Sequence, residues 1–306
     1  MTRPSPAVVA VTVLLMALAA APLLAAATAQ PFVLFLLTRL MILAIAATGL
    51  NLVLGIGGMP SFGHAALVGV GAYAAAIVAL QTGGGAWTQT FWAVAAATLA
   101  AFAMGAISLR TRGIAFILVT LALGQMLFFF AAALEPLGGD DGINVPATFA
   151  GDAGFYYAVF ALLAAATAAT AWVRATPFGM ALRGGAVNED RIAAAGIDLP
   201  RVRLLAFAAS GAVCGLAGAL TTFHTAFVSP AAMGWSRSAE LVAMVLVGGA
   251  GAVAGPLFGT AAFVALEELL SGYTTRWHLV FGPVLVIVVL AARGGIAGWI
   301  DGRTRD

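Results

Sequence analysis

The chain contains no lysine, since all 14 of its basic residues are arginine. A P-loop needs the lysine of Gly-x-x-x-x-Gly-Lys-[Ser/Thr] to reach the β- and γ-phosphates. This chain therefore cannot hydrolyse ATP through a Walker site, and any ATP energy must arrive from another subunit. Cysteine is nearly absent too, with Cys214 the single example, so no internal disulfide can form. The motifs Cys-x-x-Cys, His-Glu-x-x-His and Gly-x-Ser-x-Gly are missing. The three histidines, His64, His224 and His278, stand far apart in sequence. No catalytic centre, metal site or bound cofactor is expected from such a sequence. Charge is the last scarcity: 8% of residues are Asp, Glu or Arg, against about 25% in soluble domains. Too few charges remain to cover a water-facing surface, and nothing suits a nucleic-acid partner.

What is present is apolar. Hydrophobic residues make up 62% of the 306 positions, with a mean hydropathy of +1.06. The lipid bilayer is the solvent this composition fits. The expected fold is all-α, one polytopic transmembrane domain over residues 1–306 with about ten spans. Apolar segments fall near 7–29, 32–54, 61–80, 87–108, 113–134, 154–173, 204–226, 239–250, 253–270 and 278–292. Segments eight and nine are separated only by Gly248-Gly249-Ala250-Gly251 and Ala254-Gly255-Pro256. They read equally as two short spans, a re-entrant pair or one broken helix. Arginine in short loops stays cytoplasmic. Placing both termini in the cytoplasm puts 11 of the 14 arginines inside and the arginine-free loop 135–153, with Glu135, Asp140, Asp141 and Asp152, outside. That scheme requires segments eight and nine to cross twice between them, giving ten crossings. The first segment also resembles a signal peptide ending in Ala27-Thr28-Ala29. Its removal would leave the remaining topology unchanged.

Three places depart from the Ala/Leu/Val background. Between Asn51 and Ala66 five Gly and Pro residues interrupt the apolar pattern, accompanied by Asn51, Ser61 and His64. Backbone freed by Gly and Pro is tolerated at membrane depth only where protein or a water-filled cavity covers it. These three polar residues therefore either face a polar path or bond across packed helices. The second place is the break around Gly255-Pro256, where 256–263 echoes 60–67 at five of eight positions. Gly/Pro-interrupted segments in corresponding halves point to a transporter's central path. The candidate gate is thus Asn51, Ser61, His64, Gly255 and Pro256. The third is the basic loop 174–203, in which Pro177 and Gly179 are expected to break the start and Pro200 to close the end. Residues 188–195 read as a short helix stopped by Gly196. Arg183, Asn188, Glu189, Asp190, Arg191 and Gly196 are candidates for docking a peripheral partner.

These residues lie in a series that resembles the LivM-type permease family of branched-chain amino acid ABC importers. The likeness covers most of the chain after about residue 35. It runs through Leu50-Asn51-Leu52, Ser61-Phe62-Gly63-His64-Ala65-Ala66, Gly69-Val70-Gly71-Ala72-Tyr73 and Leu109-Arg110-Thr111-Arg112-Gly113. It continues through Thr120-Leu121-Ala122, Gly138-Gly139-Asp140-Asp141-Gly142, Thr176-Pro177-Phe178-Gly179, Gly196-Ile197-Asp198 and Leu204-Leu205-Ala206-Phe207. Gly215-Leu216-Ala217-Gly218-Ala219-Leu220 and Gly255-Pro256 complete it. The resemblance implies a bacterial inner-membrane importer with a second homologous permease subunit, two cytoplasmic ATPases and a periplasmic solute-binding protein. It also implies that 174–203 is the coupling element that enters an ATPase groove. The solute itself (a branched-chain amino acid, urea, an amide or an aromatic molecule) is left open. One stretch departs from the family: Gly184-Gly185-Ala186-Val187 stands where an Arg/Glu-rich run is usual. Two interior glycines cost a helix about 1 kcal/mol each relative to alanine, so either the coupling helix starts near Asn188 or the permease is matched to an unusual ATPase. An ion-coupled secondary transporter is the competing reading, but it needs a carboxylate near the middle of a span, and none is found there.

Overall fold

The computed structural model describes residues 6–28, 31–146, 149, 153–272, 282–283 and 294–300. It is helical almost throughout. The long helices are α1 (Pro6–Thr28), α2 (Pro31–Asn51), α3 (His64–Thr82), α4 (Ala86–Ser108), α5 (Ile114–Ala133), α6 (Ala153–Ala175) and α9 (Leu199–Thr225). Two short helices, α7 (Pro177–Val187) and α8 (Glu189–Ala194), precede α9, and α10 (Trp235–Gly248) and α11 (Gly255–Ser271) follow it. Among the described residues six helices are long and apolar enough to cross a membrane. Large apolar side chains such as Leu99, Leu118 and Phe129 point outward, as a bilayer requires. The tenth expected segment, 278–292, lies outside the described residues apart from 282–283.

α9 is the axis of the packing. It runs from the basic loop to the acidic loop, where Phe227–Val228 pairs antiparallel with Ile143–Asn144. α2 packs antiparallel to it and α3 parallel: Ser210 meets Gly49, and Thr222 Oγ1 donates to the Ala72 carbonyl at 3.2 Å. Small residues let these backbones approach closely. A Cβ at Gly71 would lie 2.6 Å from the Gly215 carbonyl oxygen, and one at Gly215 would lie 2.7 Å from that of Ala93. α1 docks on α6. Pro22 inside α1 has no N–H to give the Leu18 carbonyl four residues back, and Tyr156 Oη donates to that carbonyl at 2.7 Å instead.

α10 and α11 are two helices and not one broken one. Gly248 abuts Gly255, and Gly259 abuts the Met244 carbonyl, so the two run antiparallel as a hairpin. Their 14 and 17 residues span roughly 21 and 26 Å at 1.5 Å per residue. Their tip, Gly249–Ala254, points toward the basic-loop end.

The basic segment differs from its expected form in three ways. Pro177 and Gly179 begin a helix where a break is expected, because Pro177 occupies the first helical turn and Thr176 caps it, accepting the Gly179 N–H at 3.3 Å. Pro200 likewise lies in the first turn of α9, so 199–203 belong to that helix. Gly184 and Gly185 sit inside α7, which ends only at Val187. Packing explains their tolerance: a Cβ at Gly184 would lie 2.6 Å from Ile192 Cδ1, and one at Gly185 would collide with Leu199. The glycines bring α7 against α8 and the foot of α9. Asn188 then caps α8, accepting the Arg191 N–H at 3.0 Å, and Gly196 adopts φ +77 just beyond it, as expected of a helix stop.

Candidate functional site

The first interruption is built around a π-helical turn. α2 ends in a wide turn over Leu52–Ile56, closed by Gly57 N–H to the Leu52 carbonyl at 3.1 Å. Such π-bulges often sit at functional sites. The chain then turns back and re-enters α3 at His64. The freed amides at this re-entry meet side-chain hydroxyls: Phe62 N–H bonds Thr120 Oγ1 at 3.2 Å, Gly63 N–H bonds Ser61 Oγ at 3.3 Å, and Ala65 N–H bonds Ser238 Oγ at 3.2 Å. Backbone irregularity at this depth is therefore covered by protein.

His64 and Ser61 are fully buried and lie in one hydrogen-bonded chain. Ser210 Oγ gives its one proton to the Gly49 carbonyl at 2.6 Å. It must therefore accept from His64 Nε2, 2.9 Å away, which leaves Nδ1 to accept from Ser61 Oγ at 3.0 Å. The ring is the neutral Nε2–H tautomer, and it ties α2, the break, α3 and α9 together. His64 thus has the geometry of a brace.

Asn51 joins the two interruptions. It is fully buried. Its Nδ2 donates to the Ala252 carbonyl at 2.9 Å, and its Oδ1 accepts the Gly251 N–H at 2.9 Å. Gly55 and Gly251 make this approach possible, since a Cβ at Gly55 would overlap Asn51 Oδ1 and the Gly251 nitrogen. Gly255 and Pro256, also buried, form the first turn of α11 directly after this tip. The structure therefore brings Asn51 to the Gly251–Pro256 break, while Ser61 and His64 form a separate cluster.

The tip is also held from the basic segment. Arg174 Nη1 donates to the Gly251 carbonyl at 2.7 Å, and Arg183 Nη2 donates to the Arg174 carbonyl at 3.0 Å. A continuous path of hydrogen bonds runs from α7 through Arg174 and Gly251 to Asn51. Of the docking candidates, Asn188, Asp190, Arg191 and Gly196 are exposed. Arg183 is partly buried, and Glu189 is engaged internally: its carboxylate pairs with Arg203 Nη1 at 2.7 Å and Arg112 Nη1 at 3.0 Å. Arg112, Glu189 and Arg203 line a cavity of about 350 Å³ with Gly58, Met59 and Pro60, beside a direct contact of α7 with the first break, where a Cβ at Gly58 would lie 2.9 Å from Ala186 Cβ. Arg174, Ser210 and the tip carbonyls were not singled out from sequence. Arg174 looked like any other basic-loop arginine, and a lone serine in an Ala-rich helix carries no periodic signal.

Residues 32–290 match the family model for the branched-chain amino acid transport system permease component. The chain is 28% identical to the high-affinity branched-chain amino acid transport system permease protein LivM of Escherichia coli, over 88% of this chain and 72% of that protein. The Salmonella typhimurium LivM gives the same identity and coverage. A probable LivM of Methanocaldococcus jannaschii is also 28% identical, over 82% of this chain and 89% of the relative. No solved structure matches. With more than half of its length matched by the family model, this polytopic helical membrane chain belongs to the branched-chain amino acid transport system permease family.

Proposed function

We propose that the chain is the permease subunit of an ABC importer in the bacterial inner membrane, conducting branched-chain amino acids inward. Residues 1–306 form one transmembrane domain with ten crossings, α10 and α11 counted as two, and both termini cytoplasmic. Supporting that orientation, Arg110, Arg112, Arg183, Arg191, Arg201 and Arg203 gather at one end while Glu135, Asp140 and Asp141 lie at the other. It works beside a second homologous permease, two ATPases that bind the ATP, and a periplasmic solute-binding protein. α7 and α8 dock the ATPase. Asn51, with the Gly251–Pro256 tip, forms the gate, and Ser61 and His64 brace it.

One observation carries this reading: the hydrogen-bonded path Arg183–Arg174–Gly251–Asn51 joins the docking segment to the contact between the two interrupted helices. A push on α7 would reach the gate without crossing flexible chain. The reading is tested on the assembled complex in proteoliposomes. Asp190→Arg reverses an exposed charge on α8, and like-charge juxtaposition at an interface costs several kcal/mol. It is expected to leave assembly of the permease pair intact and to abolish leucine-stimulated ATP hydrolysis. Stimulation at the wild-type level would remove α8 from the docking surface. Glu189 is a poorer probe of docking, because its replacement also breaks the Arg112 and Arg203 pairs.

A further inference from the structure

Toward the acidic-loop end, a cavity of about 230 Å³ lies between α2, α3, α9, α10 and α11. Its charged wall is out of place. In the proposed orientation arginine belongs on the cytoplasmic side, yet Arg39 and Arg237 both stand at the opposite end and both line this cavity. Each is matched to a glutamate. Arg39 Nη2 lies 2.8 and 2.9 Å from the two Glu267 carboxylate oxygens, and Arg237 Nη1 lies 2.7 Å from Glu240 Oε2. Ionisable groups in membrane segments are costly and mark solute pathways more often than packing. A third polar group awaits a partner: His224, stacked on Phe35 at 4.1 Å, has a buried Nε2 with no hydrogen bond among the described residues. Native structures satisfy such atoms, and an exception calls for a reason.

The remainder of the lining is apolar, chiefly Ile42, Leu43, Leu241, Met244 and Phe263. The site is smaller than the roughly 300–1,000 Å³ of drug-sized pockets, which suits a small metabolite. Arg237 and Glu240 of the lining cancel, and Arg39 is neutralised by Glu267 just behind the wall, so the site carries no net charge. An anion or a cation would leave one sign in excess, whereas a zwitterion inserts between the pairs with both of its charges answered. The wall also includes Ala65 and Val68 of α3, the first turn after His64, so an occupant would rest against the braced end of the interrupted helix.

We propose that this cavity is a solute station in the permease itself, taking an α-amino acid with an aliphatic side chain. The carboxylate faces a guanidinium, the ammonium faces Glu240, His224 Nε2 completes the polar contacts, and the side chain lies on Ile42, Leu43, Met244 and Phe263. This deepens the branched-chain amino acid reading above and rests on it. The consequence is that specificity is read twice, once by the binding protein and again here.

The test uses the complete complex in proteoliposomes, with leucine and alanine as probes. Wild-type failure to accumulate either one would sink the transport reading itself, before the cavity is in question. Given wild-type uptake, Val68→Phe adds bulk to the cavity wall. A pocket that distinguishes a few methylenes discriminates about 10–200-fold, so leucine uptake is expected to fall at least about tenfold relative to alanine. Unchanged uptake, or an equal fall for both solutes, overturns the proposal. Should Val68→Phe fail to insert, Arg237→Gln at the half-exposed rim carries the test. A KM for leucine raised about tenfold with unaltered binding-protein affinity supports the site. An unaltered KM, or a loss confined to binding-protein affinity, overturns it.

Discussion

Replacing Asn51 with leucine removes the side chain that hydrogen-bonds the end of α2 to the α10–α11 tip. The substitution nearly preserves volume but deletes two hydrogen bonds of 2.9 Å, leaving the Gly251 N–H and the Ala252 carbonyl without that partner. Interhelical hydrogen bonds in membranes average about 0.6 kcal/mol and reach about 1.7 kcal/mol. Two such bonds give a loss of about 1–3 kcal/mol. If the bridge exists only while the two breaks are in contact, that loss shifts the equilibrium toward the separated arrangement by about 5–150-fold. The expected phenotype is a loosened gate. ATP hydrolysis by the complex without binding protein should rise, and leucine accumulation per ATP should fall. Asn51→Asp sharpens the argument, since it keeps an acceptor for Gly251 N–H but sets a carboxylate oxygen against the Ala252 carbonyl. It should be at least as severe at neutral pH. Basal hydrolysis, coupling ratio and thermal midpoint all at wild-type values in Asn51→Leu would refute the bridge as an energetic element.

Ser210→Ala takes away the acceptor of His64 Nε2–H and the donor to Gly49; a stability loss of about 1–3 kcal/mol is expected, read as a lowered thermal midpoint in detergent. Tyr156→Phe leaves the Leu18 carbonyl, already deprived by Pro22, without its donor. Crosslinking of cysteines placed in α1 and α6 should become slower in that variant, while unchanged rates would show that the hydroxyl does not hold α1. A reporter fused after Arg305 should register as cytoplasmic and one near Asp141 as periplasmic, and the reverse at either point would remove the ten-crossing scheme.

Much of this architecture could be read from residues. Apolar runs located the long helices because a bilayer leaves them little alternative, and Gly196 marked the end of α8 by its turn chemistry, while the Asn188 cap that starts α8 emerges only in the structure. Local propensity misled where tertiary contact outweighed it. Gly184 and Gly185 look like helix breakers, yet they are needed for α7 to approach Ile192 and Leu199. Pro177 is a breaker in a helix interior and a starter in the first turn, and only the Thr176 cap decides which. At the candidate gate, composition pointed to Asn51, Ser61 and His64 as unusual but could not pair them. Asn51 finds its partners some 200 positions away, and His64 finds Ser210 at a separation of 146. Such distances leave no periodic trace in one sequence.

The glycine contacts of α3, α4 and α9 bear on how the molecule can move. Where one backbone rests on another, as Gly71 does on Gly215 and Gly215 on Ala93, no side chain intervenes to change rotamer and absorb a displacement. Dense interiors of this kind switch between discrete arrangements and do not deform smoothly. These three helices would then travel as a single slab. The α10–α11 hairpin, locked at Gly248, Gly255 and Gly259, forms a second rigid piece. Strokes generated by ATP hydrolysis would be concentrated in the thin seam between them, at the π-turn of α2, and substitutions that soften either slab would waste the stroke while leaving the seam itself intact.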